Sequence, residues 1–350
     1  MQWPPYGYHA KPVANKAAQN GHDVKILYIL GSPRCGSTLL DNIFNEIDGF
    51  VSVGEMRFLW QRILEDRWCG CRRPFDQCPL WSAVLERGWG WPTTSRIDPR
   101  VVVRWQRQGV RERHTWKLLR ARHLSLGGPE RAYADVVANL YRGVADLTGA
   151  RVIVDSSKRP SHGALLRFVD GVSVYYLHLL RDPRAVAYSL SKGKRNPDRS
   201  HYAEMARSGP IQGSALWAAV NIGAEAVCRA NPPERVQRVS YEDFVRDPVA
   251  VIKSTIDMLD EEIPTSPPWI GERTVRLRGN HTVSGNPSRF ELGDIDISED
   301  ERWKSEMSGW RKAVVSLATA PVLPRFGYPI FPGRQRHGVV ASLRSPDRSS

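Results

Sequence analysis

The sequence predicts an α/β protein with three layers, in which a central parallel sheet lies between two layers of helices. Apolar runs of strand length alternate along the chain with stretches of helical periodicity. Two of those runs, Val24–Leu30 and Val172–Leu180, lead directly into turns that start a helix. Buried strands that alternate with helices are typical of a parallel sheet covered on both faces. A chain of 350 residues, 41% of them hydrophobic, is long enough to bury one large core.

The first strand and the first helix are the best-defined elements. Val24–Leu30 is apolar at nearly every position and predicts a buried strand. Thr38–Ile47 predicts a helix, because its apolar residues recur on one face at helical spacing. Residues 56–130 are rich in Trp, Arg and Gly and are predicted to be irregular. The later predicted elements are helix Tyr133–Leu147, strand Val152–Val154, helix Ala164–Val169, strand Val172–Leu180, helix Ala215–Cys228, strand Arg235–Val239 and helix Val249–Leu259.

We expect one large domain, residues 23–332, with a Trp- and Cys-rich insertion at about 56–130. A flexible segment, 1–22, is predicted before it and a disordered basic tail, 333–350, after it. No apolar run reaches the length of about 18 residues that predicts a membrane span. The N-terminal residues also lack the apolar segment of a signal peptide. Five cysteines do not form an even disulfide framework, which favours a reducing cytoplasm.

The net charge of +13 limits the possible partners only loosely. Such a balance suits nucleic acid, an anionic membrane or a polyanionic cofactor, and an Arg-rich proteome also produces it. The sequence has no nucleic-acid-binding motif and no alternation of aromatic and basic residues. A basic nucleic-acid-binding protein is therefore a lower-ranked alternative, and it predicts duplex binding with a steep salt dependence.

The segment Gly31–Leu40, which follows the first strand, predicts a phosphate-binding loop. Its glycines allow a tight turn, and the first N–H groups of the following helix have no partners inside the helix. The loop lacks the Gly-Lys-Ser/Thr ending that binds magnesium nucleotides. Its basic residue is Arg34, whose planar guanidinium suits a tetrahedral oxyanion. An ordinary strand-to-helix turn is the alternative interpretation.

A second anion motif follows the strand Val172–Leu180. Arg181 leaves the end of that strand, and Asp182 and Pro183 suit the start of a helix as cap and first residue. Ser189 lies two helical turns further on. In a parallel sheet, ligands bind at the carboxyl ends of the strands, which is where both motifs are expected.

These two motifs resemble those of the sulfotransferases that use 3′-phosphoadenosine-5′-phosphosulfate (PAPS). The resemblance covers roughly residues 24–330, and the arginine in the first loop is similar to the bacterial and Golgi-type branch. It implies that Gly31–Leu40 is a P-loop-like phosphosulfate loop and that Arg181 and Ser189 bind the 3′-phosphate. It also implies that the 5′-phosphosulfate is held by Arg34 and by the backbone of Cys35, Gly36, Ser37, Thr38 and Leu39.

The resemblance also implies the catalytic residues. Glu55, in Val53-Gly54-Glu55, matches the Gly-Glu pair that supplies the base in the tyrosylprotein and related sulfotransferases. A surface or capping glutamate is the alternative, and histidines 9, 22 and 114 are weaker candidates for the base. Lys158 follows a strand and matches a lysine that stabilises charge near the leaving group, or it is a solvated lysine. Arg34 shares that stabilising role.

Further residues are expected to contact the nucleotide. Tyr241, in a Tyr-Glu-Asp segment, resembles the tyrosine that packs near the adenine, with a core tyrosine as the alternative. The loop His281–Arg289 corresponds to the segment that closes over the cofactor in many members, so Asn286 and Arg289 are predicted to bind it, Arg289 at the 3′-phosphate. Asp155 could instead be a magnesium-binding aspartate of a P-loop kinase.

The insertion carries a cysteine cluster and many tryptophans. Cys69, Cys71 and Cys78 are interpreted as structural thiols, a disulfide or part of a metal site, for which a fourth ligand would have to come from elsewhere. Tryptophans are predicted to wall the acceptor pocket, although they could also be core residues. These are Trp60, Trp68, Trp81, Trp89, Trp91 and Trp105.

The sequence thus predicts transfer of a sulfuryl group from PAPS to a hydroxyl or amine, with 3′,5′-ADP as the product. The predicted acceptor is a small molecule, a carbohydrate or a lipid, and no specific nucleic-acid partner is expected. No metal site and no metal requirement are predicted, because the loop's positive charge is expected to stabilise the moving group. The enzymatic alternative is a P-loop kinase that uses ATP and magnesium.

Overall fold

The computed structural model describes residues 23–121, 126–193, 195–197, 203–204, 207–262 and 268–330. The predicted flexible segment 1–22 and the predicted tail 333–350 lie outside the described residues. Among the described residues, no helix is long and apolar enough to cross a membrane.

A five-stranded sheet forms the centre of the fold, and its neighbouring strands are all parallel. The strands in chain order are β1 (Val24–Leu30), β2 (Phe50–Gly54), β3 (Val152–Lys158), β4 (Val172–Leu180), β5 (Arg195–Asn196), β6 (Ala203–Glu204), β7 (Val236–Ser240), β8 (Thr274–Leu277) and β9 (Gly293–Asp296). The sheet order is β2-β3-β1-β4-β7, and β5-β6 and β8-β9 form two small antiparallel pairs. In register, Ile26 of β1 lies between Ile153 of β3 and Val174 of β4.

Helices cover both faces of this sheet. They are α1 (Ser37–Phe44), α2 (Leu59–Leu64), α3 (Pro79–Trp89), α4 (Pro99–Gly109), α5 (Thr115–Arg120), α6 (Gly128–Thr148), α7 (Pro160–Leu165), α8 (Pro183–Ser191), α9 (Pro210–Arg229), α10 (Tyr241–Arg246), α11 (Pro248–Met258), α12 (Arg302–Glu306) and α13 (Gly309–Thr319). Successive side chains of β1 point to opposite faces, so Ile26 and Tyr28 join one hydrophobic cluster while Leu27 and Ile29 join another. The predicted three-layer α/β fold is confirmed.

The prediction of an irregular segment at 56–130 is wrong, because this insertion contains α2 to α5 and the start of α6. Its helices begin at ordinary start signals. Pro79 and Pro99 occupy first-turn positions, and the Asp98 carboxylate accepts a hydrogen bond from the N–H of Arg100. The sequence analysis also missed β2, in which Ser52 and Gly54 interrupt the apolar residues.

Candidate active site

The loop that is predicted to bind phosphate joins β1 to α1 through a backbone held in unusual conformations. Arg34 has a φ of 68° and Gly36 a φ of 97°, both in the left-handed region. A Cβ atom on Gly36 would lie 2.5 Å from the ring of Tyr241, so only glycine fits there. The N–H groups of Cys35 and Leu39 donate to the carbonyls of Ser32 and Gly36. The first N–H groups of a helix generally lack acceptors inside it and can bind an anion.

Arg181 lies against this loop at the end of β4. Its Nη1 donates to the carbonyl oxygen of Arg34 at 3.1 Å, and its guanidinium carbon is 4.2 Å from the centre of the Tyr241 ring. The indole N–H of Trp217 donates to the Arg181 carbonyl and fixes the backbone there. The structure thus brings Arg34, Arg181 and Tyr241 together from three separate parts of the chain.

Ser189 follows on α8, where it is half-buried. The helix starts as the sequence predicts, because the Asp182 carboxylate accepts a hydrogen bond from the N–H of Arg184, and Pro183 is the first helical residue. The Arg184 side chain forms an ion pair with Asp182 at 2.6 Å and is buried, so this second arginine of the motif supports the turn.

Glu55 and Lys158 meet at the carboxyl ends of β2 and β3. The Lys158 ammonium donates to the Glu55 carboxylate at 2.6 Å and to the carbonyl of Ser156 at 2.9 Å. Lys158 has a φ of 68°, a strained conformation for a residue with a side chain. Gly54, at the end of β2, also has a positive φ, and a Cβ there would lie 2.7 Å from that of Thr282. The backbone on both sides of this ion pair is therefore tightly constrained.

The charge state of Glu55 reflects two opposing effects. Burial disfavours its ionised form, but the nearby Lys158 ammonium and its hydrogen bond outweigh burial and hold the pKa of Glu55 below its ordinary value. The guanidinium groups of Arg62 and Arg159 act in the same direction. Glu55 is therefore a carboxylate at neutral pH.

Cys35, inside the loop, is surrounded by the same cations. Burial raises the pKa of its thiol, while the positive charges of Lys158 and Arg181 oppose that effect. The side chain is fully buried in the core beneath the sheet edge. Cys35 is thus a small buried residue of the loop, close enough to Lys158 and Arg181 for both charges to act on its thiol.

The segment 280–290 packs beside the loop, but only one of its two residues that were predicted to bind the cofactor lies at the loop. The N–H of Asn286 donates to the Thr38 hydroxyl at 3.3 Å, so Asn286 lies at the loop. Arg289 is 1% exposed, and its guanidinium donates to the carbonyls of Thr282 and Trp68. The assignment of Arg289 to the 3′-phosphate is corrected accordingly, because its donors are used to join two chain segments.

Asp155 does not have the surroundings of a magnesium ligand. One carboxylate oxygen accepts from the Tyr141 hydroxyl at 2.7 Å and the other from the N–H of Ser157 at 2.8 Å. Burial raises its pKa to about 6, against the opposing effect of those hydrogen bonds. Both carboxylate oxygens are hydrogen-bonded within the protein, so Asp155 no longer supports the alternative of a magnesium-dependent kinase.

Residues 27–265 match the model of the family described as the sulfotransferase family. The chain belongs to the sulfotransferase family. No curated protein matches it in sequence.

Several solved sulfotransferase structures are similar to this one. The sulfotransferase domain of the Synechococcus PCC 7002 olefin synthase is 21% identical with a TM-score of 0.47, covering 88% of this chain and 96% of that domain. The sulfotransferase domain from the curacin biosynthetic pathway is 18% identical with a TM-score of 0.46, and the match covers 88% of this chain and 100% of that domain. A sulfotransferase from Alicyclobacillus acidocaldarius is 14% identical with a TM-score of 0.38, and the match covers 86% of this chain and 93% of that protein.

The tryptophans of the insertion do not all wall a pocket. Trp60, Trp81 and Trp89 are buried in the core of this sulfotransferase, and Trp60 packs edge-on against Trp89 with ring centres 5.3 Å apart. For these three the acceptor-wall prediction is wrong, because their rings fill the space between the helices of the insertion. Trp68, Trp91 and Trp105 are half-buried.

The sequence analysis missed residues that surround the predicted ones. The Asp300 carbonyl accepts one hydrogen bond from Arg181, and the Asp300 carboxylate lies 3.9 Å from the same guanidinium. No sequence signal marks Asp300, which is more than 100 residues from Arg181. Arg159 directly follows Lys158, and that basic doublet after a strand was a usable signal for a second cation near Glu55.

Proposed function

We propose that this sulfotransferase transfers the sulfuryl group of PAPS to a hydroxyl or amine of a small-molecule, carbohydrate or lipid acceptor. The observation that carries the proposal is the contact between Glu55 and Lys158 beside the phosphate-binding loop. Sulfuryl transfer needs a base for the acceptor proton and positive charge around the moving group. This ion pair supplies both at the edge of the sheet where ligands bind.

Glu55 acts as the general base. Its carboxylate accepts the proton of the acceptor hydroxyl while the acceptor oxygen attacks sulfur in line. The bond between sulfur and the bridging phosphosulfate oxygen breaks, and 3′,5′-ADP leaves. A carboxylate with a lowered pKa remains ready as a base at neutral pH, and activity falls as the pH drops through that pKa.

Positive charge around the loop stabilises the transfer. Arg34 and the N–H groups at the start of α1 hold the 5′-phosphosulfate, and Lys158 shifts from Glu55 toward the leaving oxygen. Arg181 and Ser189 bind the 3′-phosphate, and Tyr241 packs near the adenine. Asn286 contacts the cofactor from the side of the loop. Because these groups supply the charge, the reaction needs no metal ion, unlike that of magnesium-dependent kinases.

Ligand-induced thermal stabilisation tests the choice of donor nucleotide. We expect 3′,5′-ADP to stabilise the protein far more than ATP or AMP, by about 2.7 kcal/mol at a hundredfold excess over its dissociation constant. Arg181→Ala should lose most of this response, because it removes the guanidinium at the loop.

Arg276→Ala provides the matched control. Its guanidinium is exposed and paired with Asp294 on the β8-β9 hairpin, so its response to 3′,5′-ADP should equal that of the wild type. Equal stabilisation of the wild type by ATP, with a magnesium requirement, would overturn the proposed donor.

A further inference from the structure

Three cysteines of the insertion and one histidine of the segment 280–290 converge in one cluster. The Sγ atoms of Cys69, Cys71 and Cys78 and one ring nitrogen of His281 all lie within 4.8 Å of one another. Cys78 Sγ is 3.5 Å from Cys69 Sγ and 3.2 Å from His281 Nδ1, and Cys69 Sγ is 3.9 Å from that nitrogen. The histidine comes from a segment about 200 residues further along the chain.

These distances are close to those between the ligands of a tetrahedral metal ion. Zinc bonds of about 2.3 Å to sulfur and about 2.0 Å to nitrogen place neighbouring sulfurs about 3.8 Å apart, and sulfur and nitrogen about 3.5 Å apart. A disulfide would need sulfurs about 2.0 Å apart, and all three cysteines are free thiols. Sulfur-rich tetrahedral sites with one imidazole favour zinc over magnesium, calcium or manganese.

Contacts within the fold position the four ligands. A tight turn presents Cys69 and Cys71, since the N–H of Cys69 donates to the carbonyl of Arg73 at 2.8 Å. Cys78 is the N-terminal cap residue of α3, and the start of that helix fixes its backbone. The indole N–H of Trp81 donates to the His281 carbonyl at 2.7 Å and orients that residue. Hydrogen bonds that orient the ligand residues in this way are typical of metal sites in proteins.

We propose that Cys69, Cys71, Cys78 and Nδ1 of His281 bind one structural zinc ion. Each thiol releases its proton to solvent as its sulfur binds the ion, so three thiolates and Zn²⁺ give a net charge of −1. Buried charge needs compensation, and the Arg289 guanidinium binds the carbonyls of Trp68 and Thr282, the residues directly beside Cys69 and His281. This gives a reason for a buried arginine here, and the proposal departs from the prediction of no metal site.

The ion would join the insertion to the segment that borders the active site. The N–H of Gly70 donates to the carbonyl of Thr282, and the N–H of Val283 donates to that of Val53, two residues before Glu55. Four ligands closed by protein leave no open position for a substrate, so the ion's role is structural. Its loss should loosen 69–78 and 280–286 while the parallel sheet stays folded.

Metal analysis of the full chain, purified under reducing conditions, tests the site. We expect about one zinc per chain after exhaustive dialysis. Cys71→Ser and His281→Ala should retain little zinc. Cys228→Ser is the matched control, because Cys228 is a buried cysteine outside the cluster, and it should retain the wild-type content.

Two further measurements on the wild type keep the test decisive if the variants fail to fold. Cobalt added to the zinc-free chain should give the strong visible absorption of a tetrahedral cobalt–thiolate site. Hydrogen exchange after chelation should speed up in 69–78 and 280–286 but not in β1 or β4. Absence of both zinc and the cobalt spectrum, a Cys69–Cys78 disulfide in anaerobically purified protein, or unchanged zinc in both ligand variants would overturn the proposal. None of these readouts depends on sulfuryl transfer.

Discussion

The two sides of the candidate active site are built in different ways. On the donor side, the loop Gly31–Leu40, Arg181 and the Glu55–Lys158 pair lie at the carboxyl ends of parallel strands, with positive φ at Arg34 and Lys158. The insertion, residues 56–121, is instead a group of short helices around buried tryptophans. Charge and constrained backbone define the first region, whereas apolar packing defines the second.

This difference separates two kinds of mutational effect. Donor-side charges lie next to strands whose own packing does not need them, so their removal should change the rate more than the stability. The short helices of the insertion are stabilised mainly by tertiary packing, so loss of a buried ring should change stability more than the rate. The predictions below test this separation, from the largest expected effect to the smallest.

Glu55→Gln should have the largest effect, and it should fall on turnover. The amide keeps the size of the side chain but cannot accept the acceptor's proton. A general base typically contributes roughly 10²–10⁴-fold, so kcat should fall by that order while the affinity for 3′,5′-ADP stays near that of the wild type. Steady-state kinetics and nucleotide titration measure both quantities.

Glu65→Gln is the matched control for this variant. Glu65 lies at the end of α2 and pairs with Arg62 and Arg67, so the same change of charge is made on the insertion. It should leave kcat within a few-fold of the wild type. Near-normal turnover of Glu55→Gln would remove Glu55 as the base.

Trp89→Ala should have the next largest effect, and it should fall on stability. Loss of a buried ring that packs against Trp60 should lower the free energy of unfolding by about 3–5 kcal/mol. The protein that remains folded should keep its affinity for 3′,5′-ADP. Denaturant unfolding of the variant and the wild type measures the difference.

Trp116→Ala is the comparison for that result, since Trp116 is 49% exposed and its loss should change stability by less than about 0.5 kcal/mol. If Trp89→Ala instead left stability unchanged and raised the KM for the acceptor, Trp89 would be a pocket residue after all.

Asp41→Asn should have a smaller effect, visible only as a change in pH dependence. Burial on α1 raises the pKa of Asp41 from 3.8 to about 7, against a hydrogen bond from Ser52. Between about pH 4 and pH 7 the unfolded chain therefore ionises Asp41 while the folded chain keeps it protonated, so stability falls as the pH rises. The asparagine variant should lose this part of the slope.

Unfolding free energies at pH 5 and at pH 8 check this prediction about Asp41. The difference between the two pH values should be smaller for Asp41→Asn than for the wild type, while Asp135→Asn, at an exposed position, should match the wild type. An unchanged slope in Asp41→Asn would mean that burial does not shift this carboxyl.

The donor side was largely predictable because its motifs are local. Ten consecutive residues, Gly31–Leu40, identify the loop, and the predicted strand Val172–Leu180 has the bounds that the structure shows. In the structure Glu55 directly follows β2 and Lys158 is the last residue of β3, so the sheet brings them together, although β2 itself was not predicted. Their roles in binding and catalysis stay predictions until the variants are measured.

The insertion was less predictable because its contacts join distant parts of the chain. Helices of 6–11 residues give a weak periodic signal. Arg289 was assigned to a phosphate because nothing near it in sequence indicates that the Trp68 carbonyl, 221 residues away, receives its guanidinium. For the same reason the position of His281 beside Cys78 could not be inferred from spacing.

Donor-dependent group transfer tests the central claim most directly. The purified chain is incubated with PAPS, or with ATP and magnesium, across phenolic, carbohydrate and lipid-alcohol acceptors, and nucleotide products are measured. We expect 3′,5′-ADP to form with at least one acceptor class, without added magnesium, and to be lost in Glu55→Gln. Phosphoryl transfer from ATP, with no 3′,5′-ADP formed from PAPS by any acceptor, would contradict the account.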